Sequence, residues 1–230
     1  MKRGPEENAR CPQSTATLSM NTGLTLLELL IALAIGSVVI SAVYAVYISQ
    51  LHSVNTQDKI VAMRQNWRAG HYVLGRELMK AGYCSNIVSE FQPGFTRATK
   101  SALTFTYVEE GTDNLIPVAF DLVADDGVKR IVRTVSGVAA PIADDIETLQ
   151  FIYVLKSGST TWAPEAKHLN DIRSIRVTIV ARTESSVADY PTPTAFALPF
   201  PDDHTENTLN FSSDGVYRQM VTGVFNCRNM

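Results

Sequence analysis

Residues 23–48 read GLTLLELLIALAIGSVVISAVYAVYI, and this stretch decides how the rest of the chain is arranged. From Leu29 to Ile48 there are twenty residues without a charge. At 1.5 Å per residue such a helix spans about 30 Å, the hydrocarbon thickness of a bilayer. Leu30, Ile31, Leu33, Ile35, Val38, Val39, Ile40, Val43 and Val46 point in every direction around it, which leaves no polar face to turn to water. Tyr44 and Tyr47 stand near its outer end, where an apolar ring with a polar tip suits a membrane interface. The segment is expected to anchor the chain in a membrane; a buried core helix is the weaker reading. A cleaved secretory signal would be shorter, about 7 to 15 apolar residues, with a small-x-small site after it. Here the small residue, Gly23, comes before the run.

Working outward, the remainder has the mixed composition of a folded domain. The 230 residues are 45% hydrophobic and 19% charged, which excludes a largely disordered chain. The net charge of -3 argues against a nucleic-acid binder relying on a basic surface. Lys2, Arg3 and Arg10 before the span are balanced by Lys59, Arg64 and Arg68 after it, so the positive-inside rule sets no orientation.

Glu28 is a carboxylate inside the apolar segment, with Leu24, Leu26 and Leu27 before it and Leu29, Leu30 and Ile31 after it. Burying it costs about 2.5–3.5 kcal/mol on insertion scales, so it calls for a partner or a position at the headgroup boundary. A cut between Gly23 and Leu24 would create an ammonium four residues upstream on the same helical face, aided by the positive end of the helix dipole.

The run Gly23-Leu24-Thr25-Leu26-Leu27-Glu28-Leu29-Leu30-Ile31 resembles the prepilin signature of type IV pilins and type II secretion pseudopilins. The resemblance implies that a membrane-embedded prepilin peptidase cleaves after Gly23 on the cytoplasmic side and methylates the amine of Leu24. It implies that Glu28 sets register against neighbouring subunits, and it places residues 1–23 inside and the large domain in the periplasm. Leu24 stands where the family usually has Phe. The leader carries Lys2, Arg3 and Arg10 against Glu6 and Glu7, leaving -4 on residues 24–230. Met20, three residues before Gly23, is an alternative start.

No proline occurs between Pro12 and Pro93, so a helix entering from the membrane has no forced break. Ile60, Met63, Trp67, Leu74, Leu78 and Ala81 follow steps of three, four and seven and form one apolar face. Asp58, Lys59, Arg64, Arg68, Arg76 and Lys80 fill much of the remainder. A helix from Leu24 to Ala81, capped by Gly82, would be roughly 87 Å long if unbroken, and its outer half needs a domain to cover the stripe. Gly36, Gly70 and Gly75 interrupt it, with close packing favoured over bending as their reason.

After Gly82 the period changes to two. Ala102–Val108, Leu115–Leu122, Val128–Val135, Ile146–Leu155 and the stretch around Ile175–Arg182 are strand candidates, separated by Asp-Gly, Pro and Ser-Gly turns. Val216–Cys227 is a further candidate, and the proline-bearing stretch Ser185–Thr208 is expected to be irregular. These elements predict an α+β fold, a long amino-terminal helix packed on an antiparallel β-sheet. The expected divisions are a leader (1–23), a membrane half of the helix (24–48), an amphipathic half (49–82) and a β-rich domain (83–230).

Residues 143–153, 172–182 and 217–229, with the helix end Arg76-Glu77-Leu78-Met79-Lys80-Ala81-Gly82-Tyr83, look like PilW-type minor pilins of type IV pili. The type II secretion minor pseudopilin is the close rival, and an uncleaved membrane-anchored periplasmic binding domain is a third reading. The first resemblance implies as partners the prepilin peptidase, other minor and major pilins, the inner-membrane assembly platform and membrane lipid. Its fold is a long helix laid on an antiparallel sheet.

Cys11 would leave with the leader, and Cys84 and Cys227 remain as an even pair for which a bridge is expected in an oxidising compartment. His52, His71, His168 and His204 are scattered, so no metal and no cofactor is expected. Asp125-Asp126-Gly127 and Asp202-Asp203-His204 read as solvated turns rather than calcium loops. No phosphate loop, nucleophile elbow or zinc-protease motif is present, and no enzymatic role is expected.

Overall fold

The computed structural model describes residues 23–84, 92–111, 114–187, 190–198 and 208–230. Among them one α-helix, α1 (Leu26–Leu78), precedes eleven strands. These are β1 (Phe95–Ala98), β2 (Leu103–Val108), β3 (Leu115–Asp125), β4 (Val128–Val135), β5 (Val138–Ala143), β6 (Ile146–Leu155), β7 (Thr160–Thr161), β8 (Ile172–Arg182), β9 (Ala195–Ala197), β10 (Thr208–Asn210) and β11 (Arg218–Asn226). A short 3-10 helix, Ala166–Asp171, leads into β8. The chain forms two compact units, one ending at Ser49 and one beginning at Gln50.

In the first unit α1 is exposed on all sides: Leu26, Leu30, Ile35, Val39 and Val43 each keep more than half of their surface open. Its serines turn inward on the helix, Ser37 Oγ donating to the Ala34 carbonyl and Ser41 Oγ to the Ser37 carbonyl, both at 2.8 Å. The helix thus presents apolar surface while its hydroxyls stay satisfied.

In the second unit Ile60, Met63, Leu74, Leu78 and Ala81 of the expected stripe are buried, and Trp67 packs at its margin. Gly70 and Gly75 belong to the same face. A Cβ on Gly70 would come within 2.7 Å of Ala143 Cβ, and one on Gly75 within 2.2 Å of Phe225 Cε1. Both glycines are therefore sites of close approach, as favoured from the sequence. Gly36 has nothing within 4 Å.

The helix ends three residues short of Ala81. Lys80 N–H bonds to the Glu77 carbonyl, Ala81 N–H to Leu78 and Tyr83 N–H to Lys80, tightening the chain into turns, and Gly82 takes a φ of +74°. Glu77, buried on α1, binds Arg133 of β4 at 3.1 Å and Lys80 at 3.2 Å. This bolts the helix to the sheet.

The strands form three antiparallel sheets where the sequence reading expected one. Strands β1 to β5 make a meander in chain order; β11, β8, β6 and β7 make a second sheet in that order; β9 and β10 pair with each other. Strands β1 and β5 and the two-residue β7 escaped the period-two reading, and the region expected to be irregular contains β9 and the first residue of β10. The residues Asp126-Gly127 and Ser136-Gly137 close the β3–β4 and β4–β5 hairpins with positive φ at both positions, as a two-residue turn matching strand twist requires. Pro141 sits on edge strand β5, where a missing N–H is tolerated. The core joins Leu74 and Leu78 to Phe105, Phe120, Leu149, Phe151, Tyr153, Ile175, Val177 and Ile179.

A charged anchor fastens the carboxy-terminal segment. Arg218, 1% exposed, donates to Glu147 at 2.5 Å and 3.3 Å and to Asp214 at 2.6 Å and 2.9 Å, with Phe211 5.1 Å from its guanidinium. Hydrogen bonding to Arg218 holds the Asp214 carboxyl well below its ordinary value.

The Cys84 and Cys227 sulfurs are not bonded to each other in this structure, and their bridge in an oxidising compartment stays a proposal. Arg64 bonds to Gln219, His71 abuts Gly223, Gly75 meets Phe225 and Gly82 meets Asn229, so α1 and the final segment run in the same direction. Cys227 is buried, which pushes its thiol up to about 12.

Arg218→Met is expected to cost about 3–5 kcal/mol of stability, because it leaves Glu147 and Asp214 facing an apolar side chain. The depressed Asp214 carboxyl gives stability that is complete above the ordinary value of 3.8 and lost as pH falls below it. Chemical denaturation from neutral pH down to about pH 3 checks both, the variant showing the flatter acid limb.

Candidate functional site: the amino-terminal processing and anchoring segment

Gly23, Leu24 and Thr25 precede the helix, which begins at Leu26. A Cβ on Gly23 would meet nothing within 4 Å, and Leu24 is 80% exposed. The Gly23–Leu24 peptide bond therefore lies outside the helix and open to an approaching protein. The helix starts two residues later than expected because Thr25 caps it, its carbonyl accepting the first helical bond, from Leu29 N–H, at 3.2 Å.

Thr25 and Glu28 form a reciprocal cap. Glu28 N–H donates to Thr25 Oγ1 at 3.2 Å, while Glu28 Oε2 accepts from Thr25 N–H at 3.2 Å and Thr25 Oγ1 at 3.3 Å. Two amide donors that a helix start leaves unpaired are thereby satisfied, and the carboxylate stands at the positive end of the helix dipole. The sequence reading looked for an ammonium to answer Glu28 and passed over the nearer answer. A Thr three residues before a Glu, ahead of an apolar run, is itself the signal of such a cap.

Leu26 and Leu27 follow as exposed residues of the first turn. The apolar stretch of α1 has none of its residues buried, and the helix is long and apolar enough to cross a membrane. The structure brings Gly23, Leu24, Thr25, Leu26, Leu27 and Glu28 together in one short segment.

The residue sets read as turns fall elsewhere. Asp125-Asp126-Gly127 makes the β3–β4 hairpin, with Asp125 bound to Arg130 at 2.7 Å. Asp202-Asp203-His204, Cys11 and the leader to residue 22 lie outside the described residues.

Residues 18–44 match the family model described as the prokaryotic N-terminal methylation motif. Among solved structures, the type IV-like pilin TTHA1219 from Thermus thermophilus is similar to this chain, with 12% identity and a TM-score of 0.48 over 75% of this chain and 97% of that one. No curated protein matches the chain.

Thr25→Val keeps the shape of the side chain and removes the hydroxyl from the cap. It is expected to cost the helix start about 1 kcal/mol, read as roughly fivefold faster amide exchange at residues 26–29 in detergent micelles relative to residues 35–45. Unchanged exchange there would refute the cap.

Proposed function

We propose that this chain is a minor subunit of a type IV pilus, cut by a prepilin peptidase between Gly23 and Leu24, methylated on the Leu24 amine, and used in priming, assembly or tip structure. The role is structural rather than enzymatic. The observation that carries this reading is the methylation-motif segment itself: an accessible Gly23–Leu24 bond followed at once by a capped, apolar helix with Glu28 in its first turn. In this reading the chain sits in a bacterial inner membrane through the first half of α1, with the second unit in the periplasm. Its partners are the peptidase, other minor and major pilins, the assembly platform and membrane lipid.

The physical route follows from the cap. Before assembly the apolar sides of α1 contact lipid, and Glu28 is satisfied within its own chain. Both bonds from Thr25 fall on Oε2, which leaves Oε1 turned to whatever donor approaches. In a filament the helices exchange lipid for one another, and the Leu24 ammonium of a neighbouring subunit supplies that donor. Such a pair gives register more than net stability, because desolvating both charges offsets much of their attraction. Use as a minor pseudopilin of a type II secretion system would employ the same segment in the same way.

Glu28→Val and Glu28→Gln separate these contributions in cells. Glu28→Val is expected to reduce co-purification with other pilins and pilus number severalfold, with Glu28→Gln between it and wild type. Normal assembly by both variants would overturn the role given to Glu28. Co-purification with secretion pseudopilins in place of pilins would move the subunit to the secretion system.

A further inference from the structure

His71 lies on α1 where the helix meets β11. A Cβ on Gly223 would fall 2.2 Å from His71 Nε2, so the imidazole rests on bare backbone at that position. One step further along both elements the arrangement reverses, with the Phe225 ring resting on bare backbone at Gly75. The His71 and Phe225 rings are 4.9 Å apart and tilted by 48°, and Trp67 meets His71 edge-on at 6.3 Å. His71 Nε2 is shielded from solvent and has no hydrogen-bond partner, and the same is true of Trp67 Nε1.

The charged groups around this contact are occupied or of the wrong sign to receive a proton's charge. On α1, Arg64 bonds to Gln219 Oε1 at 3.1 Å, Arg68 stands 5.7 Å from the Trp67 ring, Arg76 is exposed, and Glu77 is taken by Arg133 and Lys80. On β11 the ionisable side chain is Arg218, held by Glu147 and Asp214. Burial alone lowers the His71 imidazole from its ordinary value, with no carboxylate to oppose it.

We propose that His71 is an acid-sensitive latch on the carboxy-terminal strand: the neutral ring seats on Gly223 and holds β11 against α1, whereas the imidazolium leaves that seat and lets the Val221–Asn226 end of β11 fray from α1 and from β8, while the Arg218–Met220 end stays paired. An imidazolium in the closed seat would be a buried cation with neither counter-ion nor acceptor. Opening exposes the ring to water, where it takes up a proton. The open state binds more protons than the closed one, so the latch is complete above the ordinary histidine value of 6.5 and weakens as pH falls from there. Pairing of Arg218–Met220 with Arg182–Val180 of β8 does not involve His71, and it keeps the strand in the sheet.

The test uses the full chain in detergent micelles. Histidine NMR titration is combined with hydrogen exchange corrected for intrinsic rates, between about pH 7.5 and pH 5. His71 is expected to titrate below 6.5. Protection at residues 221–226 is expected to fall about tenfold relative to 146–155 on acidification. His71→Gln, neutral at every pH, should abolish that fall. Gly223→Ala, which displaces the ring, should lower protection at 221–226 already at neutral pH. Titration at or above 6.5, protection at 221–226 that does not respond to pH, a parallel loss in β6, or the same fall in His71→Gln would each overturn the latch.

Discussion

A carboxylate at the head of an apolar helix has to be satisfied before that helix can enter lipid, and here the chain does so with its own atoms. Glu28 holds the Thr25 amide and hydroxyl while Thr25 Oγ1 holds the Glu28 amide. The donors at the helix start and the acid answer each other. In the proposed assembly an amine from another subunit therefore adds to a carboxylate that is already accommodated, and need not rescue one that is stranded. The same cap moves the helix start past the Gly23–Leu24 bond. The bond can be cut without unwinding a turn, and the cap survives the cut because both of its members lie downstream.

Much of this was legible in the sequence because it rests on local pattern. Twenty uncharged residues give a span, the stripe Ile60, Met63, Leu74, Leu78 gives a buried face, and alternation gives β2, β4, β6 and β8. The fold class, a long helix on antiparallel sheets, follows from those elements. What was not legible depends on contacts between distant segments. Strand β5, VAAPIA, has neither alternation nor a strong strand former beyond its ends and is placed by pairing with β4. The division into sheets of five, four and two strands has no local signal, since every strand in them is antiparallel. The course of the last segment along α1 likewise has no local signal.

That passage also explains the glycines. His71 against Gly223 and Phe225 against Gly75 form two interlocking seats, each a ring on one element and a missing side chain on the other. A helix can lie this close to a strand only where one of the two gives up its Cβ. Arg218 then draws Glu147 of β6 and Asp214 onto one guanidinium, fixing the start of the strand whose middle the seats hold. The packed unit thus relies on a few long-range contacts at α1 and β11, while the amino-terminal segment relies on a cap only four residues long.

The most direct measurement is the amino-terminal sequence and intact mass of the full chain purified from cells with an active prepilin peptidase and from matched cells lacking it. The account predicts a chain that begins at methylated Leu24 in the first case and retains the Gly23–Leu24 bond in the second. An intact Gly23–Leu24 bond in both would contradict it and leave a membrane-anchored periplasmic domain in its place.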